Sequence, residues 1–230
     1  MIDKKGRPRR YRLDELSGFR DPGMGRMAAG LAELSDRVLD QLSDLPPGAF
    51  SAMQADSGLS IGALALHLAW AELSWMERIG GAAAPPSLAA AVARGNFANL
   101  LLGTKAAAPS TAAPQSAQPA SSTAAPGGAE PAPASTEPIV APAATPFPGS
   151  VDDYRRLYAD LRSGLTLPVL RSIADIHAEK ESKGILISPA GVMAHLAWHW
   201  SYHSGHIGLL RMSVGYDYSW TFDAEVTLSH

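Results

Sequence analysis

The chain has 230 residues, of which 46% are hydrophobic, and its 19 basic and 22 acidic residues give a net charge of −3. This length and composition suit one ordinary domain, alone or with a flexible segment. The chain contains no cysteine, which excludes disulfides, thiolate metal sites and cysteine nucleophiles, so a metal ion would need nitrogen or oxygen ligands.

The first 20 residues are polar and basic. Residues 4–12 have the sequence KKGRPRRYR, and a short basic terminus of this kind is usually a solvated end. The near-balanced charge of the whole chain does not indicate nucleic acid as a main partner. No stretch approaches the roughly 20 apolar residues that span a bilayer, and no apolar run of a signal peptide follows the N-terminus. We therefore expect a cytoplasmic protein without a membrane partner.

Two long helices are predicted in the first half of the folded part, residues 21–104. Residues 24–42 and 59–79 carry apolar side chains at helical spacing. Ser60 is a suitable N-cap for the second of these helices, and a pair of glycines follows its end. Residues 86–102 are expected to form a short additional helix.

A change of composition separates the two halves. Residues 105–148 consist almost entirely of Ala, Pro, Ser, Thr and Gly. Repeated proline prevents a regular helix, and the segment has little apolar bulk to bury. We predict a disordered or polyproline-like linker that joins the halves.

Two more helices are predicted in the second half, residues 149–230. A third helix begins at 151–165, is interrupted at 166–168 by proline, and resumes over 169–181. A fourth helix covers 189–214, and the aromatic tail after it is expected to cover one end of the helices. These elements predict an all-α four-helix bundle with a long crossover between helices 2 and 3.

The fourth predicted helix concentrates four of the seven histidines within twelve residues. Steps of four residues place successive side chains above one another on a helix. A lone histidine on a helix is usually a surface or hydrogen-bonded core residue, but several unmet buried imidazoles would each cost about 1–3 kcal/mol. A shared cation would satisfy two of them together. The four are His195, His199, His203 and His206.

A site with two ligands is weak, so a third ligand from another helix is needed. His67 is the clear candidate, because it lies in the middle of the second predicted helix with leucine on both sides. Histidines that face inward from two helices build metal sites in the cores of helical bundles. Glu72 lies five residues further on, roughly 140° around the helix, and is not expected to reach the metal.

Two segments resemble the DinB superfamily of small bacterial metal-binding helical bundles: SIGALALHLAWAELSWM and HLAWHWSYHSGHIGLLR. The resemblance implies that His67, His199 and His203 are the metal ligands and that His195 is a neighbour on the same face. His206 stands where many members have glutamine. The resemblance covers both halves of the chain and leaves out the Ala/Pro-rich segment.

The resemblance also implies a function. Characterised relatives include transferases and isomerases that depend on low-molecular-weight thiols such as bacillithiol and mycothiol. We therefore expect one divalent ion, zinc or nickel, that activates such a thiol for transfer to a small-molecule substrate. His206 is the candidate for a nearby proton acceptor or hydrogen-bond donor. Members of the family often pair into homodimers.

Two other functions stay open at the level of sequence. The first is a non-catalytic metal- or ligand-binding protein associated with stress, since many family members have no assigned activity. The second is a metal-dependent hydrolase. The aromatic residues around the histidines line a pocket in the catalytic interpretation and belong to the core otherwise: Trp70, Trp75, Trp198, Trp200 and Tyr202.

Overall fold

The computed structural model describes residues 2–9, 13–52, 59–96 and 148–222. This part of the chain is mostly helical, as predicted, and adds two small two-stranded sheets. None of its helices is both long and apolar enough to cross a membrane. Apart from Pro148, the predicted linker 105–148 lies outside the described residues. The elements are β1 (Ile2–Arg9), α1 (Pro22–Leu42), α2 (Pro47–Ser51), α3 (Ile61–Gly80), α4 (Pro86–Val92), a 3₁₀ turn (Ala93–Gly95), α5 (Val151–Leu161), a π-helical turn (Arg162–Thr166), α6 (Leu167–Ser172), β2 (Lys180–Ser182), β3 (Ile185–Ile187), α7 (Pro189–Ser213) and β4 (Tyr216–Phe222).

The ends of the long helices follow from capping residues. The side chain of Asp21 accepts hydrogen bonds from two backbone N–H groups in the first turn of α1. Ser60 and Ser188 each accept one such bond at the starts of α3 and α7. Gly81 then ends α3 in the left-handed conformation, with φ of 73°, which costs a glycine little. The predicted N-cap at Ser60 and the predicted stop after α3 are therefore confirmed.

The third predicted helix is shorter than expected. It passes from α5 through one π-helical turn into α6, and the helix ends at Ser172. The turn ends two residues before Pro168, which has no N–H to donate, and a widened turn is one way for a helix to accommodate a proline. The prediction that helix continues to residue 181 is wrong. Lys180–Ser182 instead pairs antiparallel with Ile185–Ile187 as a hairpin.

The core lies where α7 packs against α1 and α3. Helix α5 is fixed to α3 by two buried tyrosines. The Tyr154 hydroxyl donates to the carbonyl of Gly62, and the Tyr158 hydroxyl donates to the carbonyl of Ala65, both at 2.8 Å. Any side chain at Gly62 would collide with Tyr154, because a Cβ built there lies 2.9 Å from the tyrosine hydroxyl.

The basic N-terminal segment is not a solvated end over residues 2–9, and that expectation is wrong. Ile2–Arg9 pairs in parallel with Tyr216–Phe222, so the two ends of the described chain form one small sheet. Asp40 on α1 holds both strands. It accepts hydrogen bonds from the Arg7 backbone N–H at 2.8 Å and from the Tyr218 hydroxyl at 2.7 Å. Lys4 adds an ion pair to the same carboxylate at 3.0 Å.

We expect Asp40→Ala to detach β1 from α1. Burial alone would raise the pKa of Asp40, but the hydrogen bonds from Tyr218, Arg7 and Lys4 outweigh it and hold the pKa below its usual range. Hydrogen bonds to a charged group contribute about 1.5–3 kcal/mol each, so the variant should lose roughly 2–4 kcal/mol of unfolding free energy. Hydrogen exchange should show faster exchange of the backbone amides of residues 2–9. Asp36→Ala is the control, because its carboxylate is 57% exposed and should contribute less than about 1 kcal/mol.

Candidate metal centre

Three imidazoles from two helices meet at the interface of α3 and α7. One nitrogen each of His67, His199 and His203 lies within 4.8 Å of the others. His67 and His203 are buried, and His199 is half-buried. The grouping matches the ligand set that the family resemblance implied.

The spacing of these nitrogens suits a single cation. A zinc–nitrogen bond of about 2.0–2.1 Å with tetrahedral angles places two ligand nitrogens roughly 3.3 Å apart. The Nε2 atoms of His67 and His199 are 3.2 Å apart. Neutral imidazole nitrogens suit zinc, nickel, copper and iron. The donor set and its geometry therefore fit a divalent metal ion.

A backbone carbonyl orients His67. Its Nδ1 lies 2.7 Å from the Gly95 carbonyl oxygen, so Nδ1 carries the proton and Nε2 presents its lone pair towards the other two rings. This contact needs glycine at position 95, because a Cβ built there would lie 2.5 Å from the carbonyl oxygen of Leu66. Trp70 supports the ring from one side, stacked with centroids 5.6 Å apart. No sequence motif marks Gly95, since the interaction uses only its backbone.

His206 contacts His203 rather than joining the group of three. Its Nδ1 lies 3.4 Å from Nδ1 of His203, and its ring packs edge-on against Tyr202. A proton shared between these two nitrogens would orient His203, in the way that hydrogen-bonded neighbours orient metal ligands. His199 differs, because its Nδ1 is buried without a hydrogen-bond partner among the described residues. His199 is therefore the least firmly oriented of the three.

The remaining polar candidates of the sequence lie elsewhere. His195 is exposed and packs its ring against Trp75 and His199, outside the group of three. Glu72 is fully buried and bonded to Arg162 and Thr166, so it does not face the histidines. Both placements agree with the expectations from sequence.

The aromatic residues around the site divide into core and surface. Trp200 is buried and packs on Tyr158. Trp198 and Tyr202 are 57% and 50% exposed and stack on each other 5.2 Å apart, beside His199 and His203. Of the two alternatives from sequence, the core does not hold for this pair, because both side chains lie on the outward face of α7.

Burial keeps the three imidazoles neutral. It lowers the pKa of His67, and it lowers the pKa of His199 to about 4, with help from the charges of His67 and His195. Burial also lowers the pKa of His203 to about 3, with smaller effects from the neighbouring histidines. A neutral imidazole is the form that binds a metal ion, so these rings are ready to coordinate at neutral pH.

The same pKa values predict acid sensitivity of the metal-free protein. An unfolded histidine has a pKa near 6.5, above the folded values, so the unfolded chain binds protons first as the pH falls. Stability is fully present above about pH 6.5 and is lost progressively towards pH 4. Thermal unfolding after chelation should show a melting temperature that falls between pH 7 and pH 4.5. A His203→Gln variant should show a shallower fall; an equal fall in both proteins would contradict this origin.

Comparison with known proteins adds no identification. No family model matches the chain, and no curated protein or solved structure is significantly similar to it.

Proposed function

We propose that this protein is a four-helix bundle of the DinB type that binds one divalent ion, zinc or nickel, through His67, His199 and His203. The convergence of these three imidazoles from two helices is the observation that carries the proposal. The fixed tautomer of His67 and the contact of His206 with His203 support it, because isolated buried histidines do not need such orientation. Homodimer formation stays a prediction of the family resemblance, and a cytoplasmic location stays a prediction from the sequence.

We further propose that the site activates a low-molecular-weight thiol for transfer to an electrophile. Three protein ligands leave a coordination position free for a reactant. A divalent ion bound there would lower the pKa of a thiol at that position, so that the thiol is present as thiolate. The chain has no cysteine, so the thiol comes from a separate molecule. In the transfer, the thiol loses its proton, and its sulfur bonds to the electrophile as the leaving group departs.

The protein's own residues have two roles in this reaction. His67 and His203, both buried, hold their rings in fixed positions on α3 and α7. His206 is half-buried beside His203, which suits it to orient that ligand and to accept the proton that the thiol releases. The exposed pair Trp198 and Tyr202 forms an apolar rim beside the histidines.

A turnover assay tests this proposal. Metal-loaded protein is mixed with 1-chloro-2,4-dinitrobenzene and, separately, bacillithiol, mycothiol or glutathione, and the aryl thioether is followed by absorbance. We expect a rate above the uncatalysed reaction with one thiol, abolished by chelation and in His203→Ala, with chloride released in equal amount. His177→Ala is the control, because His177 is exposed and lies outside the group of three. Tight metal binding without turnover for any thiol would favour the non-catalytic binding protein.

A further inference from the structure

A cavity lies on the side of α7 that faces away from the histidines. It has a volume of about 500 Å³ and runs between α1 and α7. Ala197 and Ser201 line it, and they point roughly 160° around the helix from His199 and His203. Ligand pockets in proteins occupy about 300–1,000 Å³, so the cavity has the size of a small-molecule site.

Most of the cavity wall is apolar. Side chains of α1 and α7 form its sides, and Leu13 and Trp220, which are 37% and 48% exposed, lie at its rim. Gly30 contributes no side chain, and a Cβ built there meets nothing within 4 Å. The apolar lining residues are Leu13, Met27, Leu31, Leu34, Met193, Ala194, Ala197 and Trp220.

The wall also contains four polar residues, Glu33, Arg37, Ser201 and Ser204, and Arg37 is a buried arginine with unused donors. The side chain of Arg37 is only 6% exposed. Its Nε pairs with a carboxylate oxygen of Glu33 at 3.1 Å, but Nη1 and Nη2 have no hydrogen-bond partner among the described residues. Buried donors without partners are uncommon and each needs an explanation. An acceptor oxygen on a bound ligand would be such an explanation, because these donors would then have a partner.

The charges around Arg37 favour an anionic group. Glu33 is already shared, since its other carboxylate oxygen lies 3.1 Å from Nη2 of Arg7. The two arginines, Glu33 and Asp36 together carry 2 − 2 = 0. Asp36 contacts Arg7 from the solvent side and is 57% exposed, so water screens its charge. The two Nη groups of Arg37, which have no hydrogen-bond partner among the described residues, are therefore the part of this network that would attract an anion.

We propose that this cavity binds a small amphipathic molecule, with an apolar body between α1 and α7 and a carboxylate that meets the Nη atoms of Arg37. A carboxylate suits this position, because its two oxygens can accept two parallel hydrogen bonds from one guanidinium. The site is separate from the three histidines, so its occupancy does not depend on the metal.

Calorimetric titration of the full-length protein with three ten-carbon probes tests the proposal. Decanoate, decanol and decylammonium share one apolar body and differ in the head group, and each is used below its aggregation concentration. We expect saturable binding of one decanoate per chain, at least about tenfold weaker binding of decanol, and no binding of decylammonium. Equal affinity for all three would overturn the carboxylate assignment, and no binding of any probe would overturn the site.

Two variants at Gly30 locate the binding. Gly30→Leu fills open space at the cavity wall, whereas Gly30→Ala adds one methyl group, and both raise helix propensity. Decanoate affinity should fall at least tenfold in the leucine variant and change less than threefold in the alanine variant. Unchanged binding in Gly30→Leu would overturn the proposal. A different result would also overturn it: the wild type binds no decanoate and is a dimer that Gly30→Leu dissociates. The cavity would then hold a second copy of the chain.

Arg37→Gln tests the head group separately. Glu33 keeps its contact with Arg7 in this variant, so the remaining carboxylate is still paired. The preference for decanoate over decanol should disappear, while decanol binds with an unchanged dissociation constant. A preference that persists in Arg37→Gln would show that another group recognises the carboxylate.

Discussion

Replacing His67 by alanine is expected to weaken metal binding by at least about 100-fold. Structural zinc sites with four ligands bind with roughly 10–16 kcal/mol, which is about 3 kcal/mol for each ligand, and 1.4 kcal/mol corresponds to a factor of ten. His67 is also the member of the group that lies on α3, so its loss leaves only neighbours on one helix. Its Nδ1 contact with Gly95 shows that its ring is oriented before any metal arrives, and this preorganisation is lost as well. Competition with a chromophoric chelator measures the change.

His195→Ala is the matched control for this substitution. His195 lies one helical turn from His199 and stacks on it, but it is exposed and lies outside the group of three. Its removal should change metal affinity less than threefold. If His195→Ala and His67→Ala weakened binding equally, the ligand set would include His195 and the assignment would need revision.

Replacing Glu72 by glutamine is expected to destabilise the protein by about 3–5 kcal/mol, the range measured when one partner of a buried ion pair is removed. Glu72 has no exposed surface. It accepts hydrogen bonds from Arg162 Nε at 2.6 Å and Nη2 at 3.1 Å, and from the Thr166 hydroxyl at 2.7 Å. Arg162 and Thr166 are the two ends of the π-helical turn, so Glu72 holds this turn against α3. Urea unfolding measures the loss.

Two further variants separate the contribution of the ion pair to stability from other effects of the Glu72 substitution. Asp152→Asn breaks an exposed ion pair with Arg155 within α5 and should cost less than about 1 kcal/mol. The double variant Glu72→Leu, Arg162→Met removes both buried charges and should be more stable than Glu72→Leu alone. A double variant as unstable as the single one would show that the cost comes from packing and not from the unpaired arginine.

The grouping of the three histidines was predictable because it follows from helix geometry. Four-residue spacing places His199 and His203 on one face, and His67 lies in an apolar helix where a lone imidazole needs a partner. The contact that orients the His67 ring was not predictable. Gly95 acts through a backbone carbonyl 28 positions from His67, and no side-chain pattern records such a contact.

The terminal sheet was missed for a related reason. Residues 2–9 are basic and contain Gly6 and Pro8, two poor strand formers. The strand with which they pair lies more than 200 residues away. Strand formation depends on the neighbours that a strand meets more than on its own residues. The charges of this segment are balanced by α1, where Asp40 pairs with Lys4 and Glu33 with Arg7, and only the tertiary structure brings these groups together.

The metal content of untagged protein tests the central claim most directly. Elemental mass spectrometry should find about one equivalent of zinc or nickel in the wild type, and almost none in His67→Ala, His199→Ala or His203→Ala, with each variant shown to be folded by circular dichroism. A wild-type protein that is empty and cannot be reconstituted would contradict the account. So would unchanged metal content in the three variants, and the histidines of α3 and α7 would then serve only the packing of the two helices.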